Sequence, residues 1–157
     1  ERLTRVDDLA RFVQRSRLIS TAGNQFLGSV TRIEPGAVNA EVVLRVSDQV
    51  SIVAIITEQS REELDIRVGS QLVALVKASS VLLATGTELT VSARNIIRGR
   101  ITRLARGKVN TDVYIDIGGE KTLNAMITNH SAEALELKKH QPIAAFFKAS
   151  SVILLAG

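Results

Sequence analysis

The sequence Lys-Ala-Ser-Ser-Val occupies residues 77–81 and occurs again, unchanged, at residues 148–152. The same offset of 71 residues aligns positions 21–84 with positions 92–155 without a gap, and about a third of the aligned residues are identical. The identical positions include small hydroxyl side chains and a lysine, whereas a hydrophobic core requires only a repeated apolar pattern. The duplication therefore indicates two copies of a binding site, or one site shared between the copies.

The composition indicates a soluble binding protein made of two small repeats. The 157 residues fit two repeats and an N-terminal extension better than one large domain. There are no cysteines, which excludes disulfides, thiol catalysis and cysteine-based metal sites. No apolar run approaches the roughly 20 residues of a membrane helix, and residues 1–20 carry charges throughout, so neither a membrane segment nor a secretory signal is predicted. A cytoplasmic location is the resulting expectation.

The hydrophobic pattern predicts the same short strands in both repeats. Apolar and polar residues alternate over 38–46 and 109–117, which is typical of half-buried strands. Further strands are predicted over 27–33, 50–56, 72–77 and 81–83, and over their counterparts 71 residues later. One short helix per repeat is predicted over 60–66 and 131–137, with Ser60 and Ser131 as N-caps and Glu63 in a partial capping box.

These elements define a fold class and a domain plan. About five short strands and one short helix in roughly 64 residues indicate a small OB-like barrel. Residues 1–20 have apolar positions at spacings of three and four, which predicts an N-terminal helix that packs on its own repeat or on a second subunit. The sequence thus predicts a mainly β chain of tandem OB-like small β-barrels, with a helix over 1–20, repeats over 21–84 and 92–157, and a linker over 85–91.

The repeated polar positions carry hydrogen-bond donors and no obligate acceptor. In the second repeat they are Ser92, Arg94, Thr128, Ser131 and Lys148, followed by Ala149. In the first repeat the same places hold Thr21, Gly23, Thr57, Ser60, Lys77 and Ala78. Hydroxyls, a guanidinium, an ammonium and backbone amides are suited to a small, fully deprotonated oxyanion. Hydrogen phosphate is disfavoured because its proton would find no acceptor, which leaves sulfate, molybdate and tungstate.

Other functions have weaker support. His130 and His140 have no counterparts in the first repeat, so a metal site built on them is not expected. No arrangement of nucleophile, base or paired carboxylates indicates an enzyme. The net charge of +4 suits an anionic partner, but an aromatic content of 3% can hardly supply the stacking platforms of a single-strand nucleic-acid binder.

The motif of the second repeat resembles that of a known family. Ser-Ala-Arg-Asn at 92–95, Gly99, Thr128-x-x-Ser131 and Lys148-Ala149 are similar to the pattern of the Mop domain, also called molbindin and related to TOBE domains. The chain therefore resembles a tandem pair of Mop domains, a di-Mop. Residues 9–24 resemble the end of the linker helix in ModE-type molybdate-responsive transcription regulators, where the helix joins a DNA-binding domain to a di-Mop sensor.

The resemblance implies a ligand and roles for individual residues. Mop domains are OB-like barrels that bind molybdate or tungstate, commonly at subunit interfaces. By position, Ser92 and Arg94 would hold the anion, Thr128 and Ser131 would donate hydroxyl and amide hydrogen bonds, and Lys148 would supply charge beside the Ala149 amide. Thr21, Thr57, Ser60, Lys77 and Ala78 would form a weaker or partial site, because Gly23 stands where the arginine belongs.

The expected function is that of a molybdate- or tungstate-binding sensor in a homodimer, with DNA bound only through a separate domain. The main alternative is a free-standing molbindin for intracellular molybdate storage, which would form a higher oligomer with more sites. A further alternative is the accessory domain of a molybdate ABC transporter ATPase. An OB-type nucleic-acid module has less support, and neither an enzyme nor a membrane partner is expected.

Overall fold

A computed structural model describes residues 23–156, which form ten strands, two short α-helices and two 3₁₀ turns. The predicted helix over residues 1–20 and the candidate residue Thr21 lie outside the described residues. The elements of the first repeat are β1 (Gly23–Glu34), β2 (Asn39–Arg45), β3 (Ser51–Thr57), α1 (Glu58–Glu63), β4 (Gln71–Lys77), turn A (Ala78–Ser80) and β5 (Leu82–Ala84). Those of the second are β6 (Asn95–Arg106), β7 (Asn110–Gly118), β8 (Lys121–Thr128), α2 (Asn129–Ala134), β9 (Pro142–Phe147), turn B (Ala149–Ser151) and β10 (Ile153–Ala156).

The strands form two five-stranded sheets, and each sheet takes one edge strand from the other repeat. The strand orders are β10-β4-β1-β2-β3 and β5-β9-β6-β7-β8. In the first sheet Ile153 of β10 pairs with Leu75 of β4, and in the second Leu82 of β5 pairs with Phe146 of β9. The repeats have therefore exchanged their last strands.

The exchange sets the boundaries of the two compact units. One unit holds residues 23–76 with residues 149–156, and the other holds residues 77–148. One boundary lies immediately before Lys77 and the other between Lys148 and Ala149, so the chain passes from one unit to the other at both Lys-Ala-Ser-Ser-Val segments. Compact units and sequence repeats thus have different boundaries, because the last strand and the turn before it belong to the opposite unit.

Each sheet curls until its two edges meet. Strand β10 contacts β3 in the first unit, and β5 contacts β8 in the second. The long strands β1 and β6 each carry a bulge at the same repeat position, between Val30 and Arg32 and between Ile101 and Arg103, and bulges increase local bend and twist. The mainly β, tandem OB-like fold predicted from the sequence is confirmed. Within residues 23–156, no helix is long and apolar enough to cross a membrane.

The period-two pattern places one face of every long strand in a core. Fully buried side chains of the first unit include Leu44, Ile52 and Leu72, and those of the second include Ile101, Ile115, Leu123 and Phe147. Each such side chain stabilises the fold by about 1.5–3 kcal/mol relative to an exposed one. The predicted strands are found in both units, with boundaries that differ by a few residues because pairing extends them.

The two short helices begin earlier than predicted. Helix α1 starts at Glu58 and α2 at Asn129, and their N-caps are Thr57 and Thr128. The prediction of Ser60 and Ser131 as N-caps was wrong, because the threonine hydroxyls three residues earlier accept the serine amides. The predicted capping box is also absent among these residues, since the Glu63 carboxylate accepts a hydrogen bond from Gln59 instead.

The close approach of β6 to β7 requires a residue without a side chain at position 99. A Cβ atom built on Gly99 would lie 2.3 Å from the Asp116 carbonyl oxygen and 2.7 Å from Ile115 Cγ2. Gly28 occupies the same place in the first unit, where a Cβ atom would lie 2.5 Å from the Arg45 carbonyl oxygen. Both glycines sit just before the bulged part of their long strand.

We expect Gly99→Ala to lower the free energy of unfolding by about 1–3 kcal/mol, because the new methyl group forces backbone atoms apart. Urea unfolding followed by circular dichroism measures the change. Lys108→Ala, at an exposed turn position, is the control and should leave the midpoint almost unchanged. A Gly99→Ala protein as stable as the parent would contradict the packing described here.

Candidate functional site

The Thr-x-x-Ser motif forms the same hydrogen-bonded cap in both units. In the second unit, Thr128 Oγ1 accepts the Ser131 amide at 3.1 Å and lies 3.0 Å from Ser131 Oγ. In the first unit, the corresponding distances from Thr57 Oγ1 are 3.0 Å to the Ser60 amide and 2.9 Å to Ser60 Oγ. The motif therefore starts a helix as well as presenting hydroxyl groups.

The cap changes which groups of the motif are available to a ligand. The Ser131 amide, which the family resemblance had assigned to the anion, is already donated to Thr128 Oγ1. The two hydroxyls share one hydrogen bond, so one of their two protons remains to be donated outward whichever group donates to the other. Each cap thus offers one oriented hydroxyl donor. The threonines are exposed and the serines half-buried.

Each cap strand lies against the 3₁₀ turn that comes from the other repeat. Strand β8, which ends at Thr128, contacts turn A, and β3, which ends at Thr57, contacts turn B. The first residues of these turns, Ala78 and Ala149, are buried, so the methyl groups anchor the turns. The cap of one repeat therefore lies in the same compact unit as the turn of the other repeat.

The second unit also brings its two cationic candidate residues to one end of the sheet. Asn95 of β6 pairs with Phe147 of β9, so Arg94 and Lys148, the next residues along the chain from this pair, lie at the same end of the sheet. Both side chains are exposed, as is Ser92. Because Leu82 pairs with Phe146 on the other side of β9, the start of β5 and turn A belong to this end as well.

The first unit has the same framework with less positive charge. Asn24 of β1 donates from Nδ2 to the Val76 carbonyl at 3.2 Å, which ties the start of β1 to the end of β4 immediately before Lys77. Gly23 lies where Arg94 lies in the second unit, and it is exposed. The first unit therefore lacks a charged side chain at the position that corresponds to Arg94.

The residue that follows the threonine cap differs between the units. In the first unit it is Glu58, whose carboxylate accepts a hydrogen bond from Arg61 and forms an ion pair with it. This hydrogen bond lowers the pKa of Glu58 from its ordinary value, so the carboxylate is charged at neutral pH. In the second unit the residue is the neutral Asn129, whose Oδ1 accepts from Thr111 at 2.6 Å.

An anion would therefore meet a less favourable field in the first unit. Each cap has one carboxylate nearby that pairs with an arginine, Glu58 with Arg61 in the first unit and Glu133 with Arg106 at 2.8 Å in the second. The difference in charge between the units therefore comes from Gly23, which stands where the second unit has Arg94. The missing guanidinium weakens the attraction of the first unit for a dianion.

The structure thus sorts the predicted residues by unit. The second unit contains Ser92, Arg94, Thr128, Ser131 and Lys148, together with Lys77 and Ala78 from the first repeat. The first unit contains Thr57, Ser60 and Ala149. Within residues 23–156, no three histidine or carboxylate side chains come close enough to hold a metal ion.

Two asparagines that support the site were not among the predicted residues. Asn24 and Asn95 are buried at 4% and 3% exposure, at equivalent positions one residue after Gly23 and Arg94. The sequence could have pointed to them, because both repeats keep a polar residue at the start of an apolar strand. The Asn24 hydrogen bond shows the role, which is to fix the segment beside the lysine.

Comparison with known proteins agrees with this architecture. The family model of the TOBE domain matches the chain twice, over residues 20–83 and 91–154. The chain belongs to the TOBE domain family. This confirms the family resemblance, and the two matches follow the internal repeat.

Individual relatives extend the comparison. The molybdenum-pterin-binding protein MopA of Rhodobacter capsulatus is 45% identical over 127 residues, which cover 80% of this chain and 48% of MopA. The molybdenum transport protein ModE of Azotobacter vinelandii is 37% identical over 144 residues, which cover 92% of this chain and 53% of ModE. The chain spans about half the length of the curated relatives it matches.

A solved structure shows the same fold. The cytoplasmic molybdate-binding protein ModG, crystallised with molybdate bound, superposes with a TM-score of 0.81 at 36% identity, covering 85% of this chain and 96% of ModG. These relatives are described as binding and transport proteins, in agreement with a binding module rather than an enzyme.

We expect Thr57→Ala and Thr128→Ala each to lower the free energy of unfolding by about 0.5–2 kcal/mol, because each removes an N-cap. Thermal unfolding measures the change, and Thr87→Ala in an exposed loop is the control. Thr128→Ser keeps a hydroxyl and should recover most of the loss. If all four proteins melt alike, the caps contribute nothing to stability.

Proposed function

We propose that this chain is a molybdate- or tungstate-binding sensor domain. The observation that carries the proposal is the set of donor groups in the second unit. Arg94 and Lys148 end adjacent strands, the Thr128–Ser131 cap presents a hydroxyl proton, and turn A lies against the strand that bears this cap. The set fits a dianion, because it supplies two positive charges and hydroxyl donors.

The chemistry of the donor set supports a tetrahedral oxyanion that carries no proton at neutral pH. Such an ion accepts at all four oxygens, and hydroxyl, ammonium and guanidinium groups can all donate to it. Hydrogen phosphate would place its own proton against these donors and lose a hydrogen bond, which costs about 1–3 kcal/mol for a buried group. ModG, with the same fold, was crystallised with molybdate, and this directs the proposal to molybdate among the dianions.

We further propose that the two units bind the anion with unequal affinity. The stronger site would use Ser92, Arg94, Thr128, Ser131 and Lys148 with turn A, which begins at Ala78. The weaker one would use Thr57 and Ser60 with turn B, which begins at Ala149. The asymmetry is supported by Gly23, which stands in place of an arginine. Because turns A and B each lie in the opposite repeat's unit, either site would depend on both repeats.

We propose a regulatory role for anion binding, and the similarity to ModE over 92% of this chain supports it. The superposition on ModG over 85% of this chain supports storage as well. As a regulator, the chain would form a cytoplasmic homodimer that reports anion binding to a DNA-binding domain. Storage, as a higher oligomer with more sites, is the second candidate, favoured by the ModG fold.

We expect Arg94→Ala and Lys148→Ala each to weaken molybdate binding about tenfold to a hundredfold, because each removes a charge-assisted hydrogen bond worth about 1.5–3 kcal/mol. Calorimetric titration with molybdate measures the affinity, with sulfate and phosphate as competing anions. Arg45→Ala, an exposed arginine paired with Asp48 in the first unit, is the matched control. Unchanged affinity in both site variants would overturn the assignment.

We expect Gly23→Arg to strengthen the weaker site. A guanidinium restored at this exposed position would add a charge-assisted donor, which raises affinity about tenfold or more. The measurement is the same titration, read as a second, tighter phase in the heat of binding. Gly23→Gln, which adds length without charge, is the control. A single phase, identical to that of the parent, would show that position 23 does not face an anion.

A further inference from the structure

The positive charge of this protein is concentrated in one unit. Residues 77–148 contain eleven lysines and arginines against six aspartates and glutamates, which gives a net charge of +5. Residues 23–76 and 149–156 together contain four lysines and arginines against seven aspartates and glutamates, which gives a net charge of −3. The overall charge of +4, which includes +2 from residues 1–22, conceals this difference. The charge of residues 77–148 also exceeds what anion binding needs, since only Arg94, Lys148 and Lys77 among the cations of this unit are candidate anion ligands.

Two arginines of β6 project from the outer face of the second barrel. Arg98 and Arg100 are exposed, while their neighbours Ile97 and Ile101 are buried in the core, so the two guanidinium groups share one face. Arg98 donates to the carbonyls of Gly86 and Thr87, at 3.2 and 2.9 Å. Arg100 donates to the carbonyl of His140 at 3.0 Å.

A basic loop lies directly beside these arginines. The His140 amide donates to the Ile101 carbonyl at 2.7 Å, and the Ile101 amide donates to the Gln141 carbonyl at 2.9 Å. Lys138, Lys139 and His140 are all exposed in this loop. We call Arg98, Arg100, Lys138, Lys139 and His140 the basic face.

The arginines of the basic face are anchored by backbone rather than neutralised by acids. Among the residues that the structure describes, neither Arg98 nor Arg100 forms an ion pair, although Asp116 is the strand neighbour of Arg100 and Glu136 lies in the same loop region as the lysines. A guanidinium has five N–H donors, and the carbonyl contacts occupy one or two of them. Oriented donors with their charge intact remain for an outside anion.

The first unit has only one basic residue at the corresponding positions. Arg98, Arg100, Lys139 and His140 correspond to Leu27, Ser29, Val68 and Gly69, and Lys138 corresponds to Arg67, which pairs with Asp65. The full set of basic residues is thus confined to the second repeat and is not needed for the barrel, which both repeats form.

We infer that the basic face binds the phosphate backbone of double-stranded DNA. Duplex phosphates are bound by arranged lysines and arginines without aromatic stacking, so the scarcity of aromatic residues does not oppose this contact. The basic face brings five basic side chains together, whereas the core of a protein interface is depleted of charged residues, so a polyanion fits better than a folded protein. The contact would add sequence-independent affinity from within the barrels, beside any separate DNA-binding domain.

The test is the fluorescence anisotropy of a labelled duplex titrated with the 157-residue chain over a range of salt concentrations. We expect binding at low salt that weakens as salt rises. Lys138→Gln with Lys139→Gln removes two exposed charges, and it should reduce the slope of log affinity against log salt by about two. Each lost contact should weaken binding about eightfold near 0.1 M salt. Arg98→Gln with Arg100→Gln is the second pair and should act in the same direction.

A matched control removes the same charge from the other unit. Arg32→Gln with Arg45→Gln replaces two exposed arginines of the first unit and should leave duplex affinity within about twofold. Circular dichroism and calorimetric titration with molybdate, carried out on every variant, verify the fold and the anion site. Because the basic face and the anion site share no residue, loss of one activity leaves the other measurable.

Three results would overturn the inference. The first is absence of duplex binding at low salt. The second is an equal loss of affinity in the control and in the lysine pair, which would indicate an effect of net charge alone. The third is salt-sensitive self-association, seen by sedimentation without DNA and lost in the lysine pair, which would show that the basic face binds the acidic unit of a second copy.

Discussion

The pairing of β10 with β4, and of β5 with β9, is the constraint on which the rest of the structure depends. Each short strand completes a sheet made by the other repeat and contacts the opposite edge of that sheet, so neither barrel can close without the other half of the chain. Closure also buries Ala78 and Ala149, which hold turns A and B in place. Stability and site assembly therefore depend on the same exchanged segments.

The residues of the two caps serve folding and, under the proposed function, would also serve recognition. Thr57 and Thr128 satisfy helix amides that would otherwise lack a partner, and this fixes the direction of the neighbouring serine hydroxyl. An oriented donor loses little freedom when an anion arrives, which favours tight binding of a small ligand. Asn24 has a similar double role, because its hydrogen bond to Val76 positions the segment before Lys77.

Duplication has preserved the framework while the charges have diverged. The glycines at 28 and 99, the bulges and the caps are the same in both units, since the barrel geometry requires them. Charge at exposed positions has no such requirement, so one unit has Gly23 and Glu58 where the other has Arg94 and Asn129. The units therefore differ in their electrostatics rather than in their shapes, and under the proposed function this difference would set what each one binds.

The sequence by itself determined the two repeats, their strands, the mainly β fold and the duplicated donor set, because alternation, turn residues and an ungapped repeat are local or linear signals. It misplaced the N-caps, since Thr57 and Ser60 are both good caps and only backbone geometry decides between them. Only the tertiary structure decided that β5 and β10 change places, because pairing partners far apart in the chain leave no local pattern. It likewise gathered Arg100 and the loop at Lys138–His140, which lie about 40 residues apart, onto one surface.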